Sequence, residues 1–504
     1  MTASISRLAW LSIAALMLAL LAGCDNGNDG AITVSLIDPG DEAQQIGRKF
    51  LSPGARQLRM AQAQGLVRYD DEGQIVPGLA QRWVVTDDGL SYIFRLHKRD
   101  WSDGKTVTAQ DVARGLNERI AIEKEGRFSA EMMKVRDVIA RTRQVVEVRL
   151  DSPSPSFLTI LALPEMGVRT DDQGTGPFAL TAPENGNGDD EEATAAGPFW
   201  LDLSTAETEM LDEEDAAAKR RVFLTTDRAA LAIQRFRNSQ SDIVLGGRFQ
   251  HLPLVNVSGI ARSRLQLDPV AGLFGLEIVN HDGFLSDPVN REALAMAIDR
   301  SDLFSGLQLT DWTATTRLIP ENITDYQPEV ANRWSESSIA ERRAIARVRV
   351  LIWEEANGPV QTLRVAMPEG PGARYLTERL RTDWRLIGIK IEAVAMDAEA
   401  DLRLIDEVAP YGQAEWYLAR LSCVHLPLCD EEADFVLQDA RAAYDSAKRS
   451  AGIARAETLM TQHNGYIPLG LPLRWSLVRG DIPGYAPNAT GLHPLWPLVL
   501  DPIS

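Results

Sequence analysis

Residues 362–395 set the tightest limit on what this chain can fold into. A β-rich run at 362–367 leads into an amphipathic stretch at 373–387, Gly388 closes that stretch, and a second β-rich run follows at 390–395. Strand, helix and strand in that order form a βαβ unit, which requires a parallel sheet with helices packed on it, so an α/β fold is expected. At 504 residues and 45% hydrophobic content the chain exceeds what one core normally supports, and two or three lobes are expected. Other local signals agree. Thr86-Asp87-Asp88-Gly89 separates Val84-Val85 from Tyr92-Ile93-Phe94-Arg95-Leu96 and predicts a hairpin. Thr108 with Asp111 three residues on predicts a capped helix start. Residues 339–356 read as a helix stopped by Asn357-Gly358-Pro359, and residues 434–463 read as a last helix.

The first 23 residues carry one charge, Arg7, then an apolar run at 8–20 that is too short and too near the terminus for a comfortable membrane span. This is a secretory signal. It ends in Leu21-Ala22-Gly23-Cys24, which resembles the lipobox of bacterial lipoproteins, where cleavage precedes the cysteine and the thiol carries lipid. The resemblance implies lipidation of Cys24. Asp25 beside it resembles the signal for retention in the inner membrane of diderm bacteria, which places the expected location at the periplasmic face of the cytoplasmic membrane.

In an exported chain, Cys423 and Cys429 are expected to pair as a disulfide; the alternative is a metal site using His425 between them. The chain carries 71 acidic against 52 basic residues, a formal net charge of −19, which argues against a nucleic acid partner. Residues 181–218 hold twelve acidic residues and no basic one, and read as a solvated loop or insertion rather than a calcium loop. No Gly-x-Ser-x-Gly, His-Glu-x-x-His or phosphate loop occurs, so no catalytic residue, cofactor or metal is assigned and the chain is not read as an enzyme.

From residue 65 onward four motifs follow one another: Gly65-Leu66-Val67-Arg68-Tyr69, Pro77-Gly78-Leu79-Ala80-Gln81-Arg82-Trp83, Asp87-Asp88-Gly89-Leu90-Ser91-Tyr92-Ile93-Phe94-Arg95-Leu96, and Trp101-Ser102-Asp103-Gly104-Lys105-Thr106-Val107-Thr108-Ala109-Gln110-Asp111-Val112. Together they resemble the family 5 solute-binding proteins, typified by the oligopeptide- and dipeptide-binding lipoproteins of ABC importers. Gly174-Thr175-Gly176-Pro177-Phe178 and the run from Val289 to Arg300 continue the resemblance. It implies the two-lobed, hinge-closing periplasmic binding protein fold of class II, cluster C type, with an extra third lobe. On that pattern residues 25–49, 170–262 and 473–504 form lobe I, residues 50–169 lobe II and residues 263–472 lobe III. It also implies a peptide or peptide-like solute and ABC permease subunits in the inner membrane as partners, with the chain itself a monomer. A solute-sensing or envelope-associated module without transport is the alternative.

Peptide-binding relatives hold the ligand's ammonium terminus on an Asp in a Trp-x-x-Asp-Tyr segment. The nearest match is Glu415-Trp416-Tyr417-Leu418-Ala419-Arg420, in which Ala419 stands where the Asp would be. The resemblance points to Trp416, Tyr417 and Arg420 as ligand-binding residues. With the acid missing, the expected ligand is one not held through a free α-ammonium group, and Arg420 offers a planar donor fork for an anion. Glu415 and Asp430 are the nearby acids able to take over its role.

Overall fold

The computed structural model describes residues 30–38, 51–101, 105–126, 128–169, 174–181, 198–209, 211, 220–307, 309, 312–329, 333–443 and 445–500. The apolar leader, Cys24 and the acidic residues 184–192 lie outside them.

Three large sheets organise the described residues. In the first, β1 (Ile32–Ile37) is buried at all six positions, as suits a strand paired on both edges and covered on both faces. It runs parallel to β10 (Val222–Asp227) and β11 (Ile243–Arg248). Beyond β10 lie β9 (Phe199–Leu203) and β8 (Phe178–Thr181); beyond β11 lie β18 (Arg474–Val478) and β12 (Leu265–Leu267). The second sheet is an antiparallel array of β4 (Ala80–Val85), β5 (Ser91–Leu96), β7 (Val145–Leu150) and β6 (Val135–Thr142), next to a small hairpin of β2 (Val67–Tyr69) and β3 (Ile75–Pro77). The third runs in the order β15 (Ile391–Val394), β14 (Leu363–Ala366), β16 (Leu402–Val408), β13 (Gly272–Ile278) and β17 (Tyr466–Gly470).

Local chemistry explains these elements. The hairpin across Thr86–Gly89 pairs Val84 with Ile93 and Val85 with Tyr92. Thr108 Oγ1 accepts from the Asp111 amide at 3.3 Å while the Asp111 carboxylate accepts from the Thr108 amide at 3.0 Å, a reciprocal cap that starts the helix Ala109–Glu123. The βαβ unit forms as its pattern predicts: β14 and β15 are parallel with Leu363 opposite Ile391, and the helix Pro371–Leu386 between them buries Trp384 completely, its indole N–H donating to the Leu294 carbonyl at 2.9 Å.

Three features depart from the sequence reading. Residues 434–463 form not one helix but two, Glu431–Ala442 and Ser446–His463, because the Asp445 carboxylate accepts from the amides of Ala447 and Lys448 and starts a new helix. The acidic stretch 181–218 is not all solvated loop, since β9 within it pairs with β10 and Glu207 is buried. The lobe boundaries shift as well. β12, in a segment assigned to lobe III, pairs in the first sheet, and the helix Pro53–Gln62, assigned to lobe II, puts Leu58 and Ala61 into the core beneath that same sheet. Among the described residues, two short segments, 268–271 between β12 and β13 and 471–473 between β17 and β18, carry the chain between the first and third sheets.

Candidate ligand-binding cleft

A cavity of about 610 Å³ opens between the first sheet, the third sheet and the segment that follows the helix Ala109–Glu123, within the ~300–1,000 Å³ range of small-molecule sites. The first sheet and its helix contribute Arg56, Gln57, Leu245, Gly246, Arg248 and Arg474; the second lobe contributes Lys124 and the segment at Phe128–Glu131; the third contributes Asp406, Glu407, Val408, Trp416, Ala419, Arg420 and His425. Thr490–His493 close one side. A larger cavity of about 1320 Å³ lies between β8 and the second lobe, lined by Lys98, Arg99, Trp101 and Arg169 among others. It receives nothing from the third sheet, so movement of that sheet could not close it over a ligand.

The helix Ala414–Arg420 presents Trp416 and Ala419 to the cleft wall. Trp416 is 6% exposed and meets Tyr417 edge to face, ring centroids 5.0 Å apart. Tyr417 itself is fully buried and turned into the core, so the structure removes it from the cleft wall. Arg420 lines the cleft, but its fork is already occupied. Nε and Nη2 grip the Glu407 carboxylate at 3.0 and 2.8 Å, leaving Nη1 without a partner. Burial acts to lower the Arg420 pKa, yet Glu407 outweighs it and holds the guanidinium firmly charged. The two acids nearby are also taken. Glu415 binds Arg441 at 2.6 Å and Lys134 at 3.4 Å, and Asp430 caps the helix Glu431–Ala442 through the Ala433 amide at 2.8 Å. Cys423 and Cys429 are joined by a disulfide with Cα atoms 5.0 Å apart, which consumes the thiolates that a metal site at His425 would need.

Two further cations of the cleft wall are paired. Arg474 binds Asp406 at 2.8 Å, bringing the first and third sheets together, and Arg56 binds Glu165 at 3.0 Å. Glu131 shares a short hydrogen bond with the Tyr411 hydroxyl across the second and third lobes, and burial raises its pKa to about 7. Burial lowers the His425 pKa, with Arg420 adding to the effect. Arg248, Arg474, Asp406 and Glu131 were not singled out by sequence reasoning. For Arg248 a signal existed: Gly246-Gly247 at the end of the apolar run Ile243-Val244-Leu245 marks a bulge or close backbone approach.

Known proteins place this architecture. The profile of the bacterial extracellular solute-binding proteins, family 5 Middle, matches residues 74–421. The chain belongs to this family. Family 5 members bind solutes outside the cell, so this chain is a solute-binding protein and not an enzyme. It is 22% identical to a probable di/tripeptide-binding protein 5 of Pseudomonas aeruginosa, over 84% of this chain and 87% of that protein. It is likewise 22% identical to the dipeptide-binding protein of Escherichia coli, over 83% and 85%. In structure it resembles Haemophilus influenzae OppA in complex with the peptide RPPGFSPFR, with a TM-score of 0.77, 16% identity and coverage of 94% and 99%. The fold is accordingly the two-lobed one of this family, with a further lobe built on the second sheet.

Proposed function

We propose that this chain captures peptides or peptide-like solutes in the cleft and hands them to an ABC-type permease, while lipid on Cys24 holds it at the periplasmic face of the inner membrane. The observation that carries this reading is the cleft itself, walled jointly by the first and third sheets, between which the chain crosses through two short segments. Such a joint permits hinge closure, and a permease can distinguish the closed form from the empty one. The peptide-binding names of its relatives support the choice of solute. Trp416 supplies an apolar face at the wall, and Arg420 shapes the wall through Glu407.

Two results test this reading. Protein purified from the periplasm and stripped of co-purifying solute should be stabilised by a pooled library of di- to pentapeptides, by ~2.7 kcal/mol at a hundredfold excess over Kd, with a change in Trp416 fluorescence. No thermal shift and no peptide retained in native mass spectra would refute the peptide reading. For the anchor, Cys24→Ser should leave the membrane fraction, since stable attachment requires more than one acyl chain. A variant still cleaved before residue 24 and still membrane-bound would rule out lipidation of Cys24.

A further inference from the structure

The position of Arg248 in the cleft wall follows from an irregular backbone. Between Val244 and Gly247 the pairing of β11 with β18 slips its register, and Gly246 takes a positive φ of 82° that a side chain would oppose. A bulge of this kind re-aims the residue that follows it. Gly247 then lies so close to the Trp475 ring that an added Cβ would come within 2.1 Å of it. The Trp475 indole N–H donates to the Arg248 carbonyl at 2.9 Å. The end of β11 is therefore pinned, and the Arg248 side chain is delivered to the cleft.

Its surroundings are unfavourable to a cation. Arg248 sits directly opposite Arg474 across the two strands, a like-charge pairing that costs stability. Arg474 is neutralised by Asp406; the Arg248 guanidinium has no ion pair and no hydrogen bond among the described residues. Asp406 and Asp38 act on it only through space, and they do not offset the other effects: burial, then Arg474, lower its pKa to about 10. Burial, then Arg248 itself, lower the neighbouring His251 to about 4, so no second charge arises there. Leaving a partly buried guanidinium unmatched is costly unless something absent from the empty protein completes it.

We propose that Arg248 anchors the carboxylate terminus of the bound solute, an inference that rests on the peptide reading above. Its planar fork suits two parallel bonds to a carboxylate, and Arg420, with its fork on Glu407, is not free to make them. The ligand's charge would then relieve the repulsion between Arg248 and Arg474, so binding would complete a site the fold leaves unfinished.

The test compares stripped wild-type protein with Arg248→Gln and Arg248→Lys, using peptide libraries with free C-termini, the same libraries as C-terminal amides, and acetyl-alanine with inorganic phosphate as non-peptidic oxyanions. Wild type should bind free acids about 10- to 100-fold more tightly than amides, as loss of a charge-assisted bond implies. Arg248→Gln should erase the difference and Arg248→Lys keep part of it. The ligand-free Gln variant should melt no lower than wild type, because it loses an unmatched charge; a marked drop would show a structural role and overturn the proposal. Equal binding of acids and amides would also overturn it while sparing the peptide reading. If neither library binds, the peptide reading fails, and the oxyanion arm decides the anchor: a thermal shift lost in Arg248→Gln upholds it for a non-peptidic acid, and no shift refutes it.

Discussion

Replacing Glu207 with alanine should destabilise the protein by about 3–5 kcal/mol, the usual cost of breaking a buried ion pair by removing one partner. Glu207 is 7% exposed and accepts from Arg99 at 3.2 Å, Arg68 at 3.4 Å and the Gln64 side-chain amide at 3.0 Å. Burial alone would raise its pKa, but Arg68 and Arg99 together outweigh that and lower it. Its removal strands two largely buried arginines, and Arg68 is further fixed by stacking over Trp496 at 4.2 Å. The position also matters to the architecture. Arg68 and Arg99 belong to the second lobe, whereas Glu207 follows β9 of the first sheet, so the cluster fastens one to the other. Glu207→Gln keeps the acceptor and should cost less. Because the carboxylate pKa is depressed, this stability is present above the ordinary glutamate range and is lost as pH falls through the folded value. Urea denaturation at pH 7 measures the loss; a change under about 1 kcal/mol for the alanine variant would mean that solvent screens the cluster.

Glu207 also shows where reading the sequence succeeded and where it ran out. The hairpin at Thr86–Gly89, the cap at Thr108 and the βαβ unit were legible because a few neighbouring residues determine each. The charge pattern of residues 181–218 was just as plain, yet it could not reveal that Glu207 finds Arg68 and Arg99, since those partners are brought by the fold from another lobe. The site follows the same rule. The motif located Trp416 and the wall at Ala419, but whether Arg420 was free depended on Glu407 in a strand outside the motif, and whether Tyr417 faced the cleft depended on how its helix packs. Arg248 became meaningful only through Arg474, its cross-strand neighbour from the far end of the chain. The helix break at Asp445 was within reach of sequence, because an aspartate followed by a free helical turn is a start signal, but the continuous helical propensity around it masked the signal.

Stability and ligand affinity should both fall as pH rises from about 4.5 to 7, and Glu131 should account for much of that fall. Its pKa moves from 4.5 to about 7, first through burial; Arg441 and Lys134 pull it down and Glu415 pushes it up. At 3% exposure Glu131 faces these three charges and the Tyr411 hydroxyl, which belong partly to the second lobe and partly to the third. The sign follows from proton count. Below about pH 4.5 the carboxyl is protonated both in the packed state and in the unfolded or opened one, so ionisation costs nothing. Between 4.5 and 7 the solvated form gives up its proton and the packed form keeps it, so packing becomes progressively less favourable, and above about pH 7 the penalty levels off at about 3 kcal/mol. Since opening the cleft would release Glu131 to water, the same proton should favour the closed form that grips a ligand. Glu131→Gln holds the neutral state at every pH. Subtracting its pH–stability curve from that of wild type removes the other carboxyls, and the difference should slope downward through this window and flatten above it. Parallel curves for the two proteins between pH 4.5 and 8 would sink the assignment, whereas a flattened affinity profile in the variant would tie the proton on Glu131 to closure of the second and third lobes over the ligand.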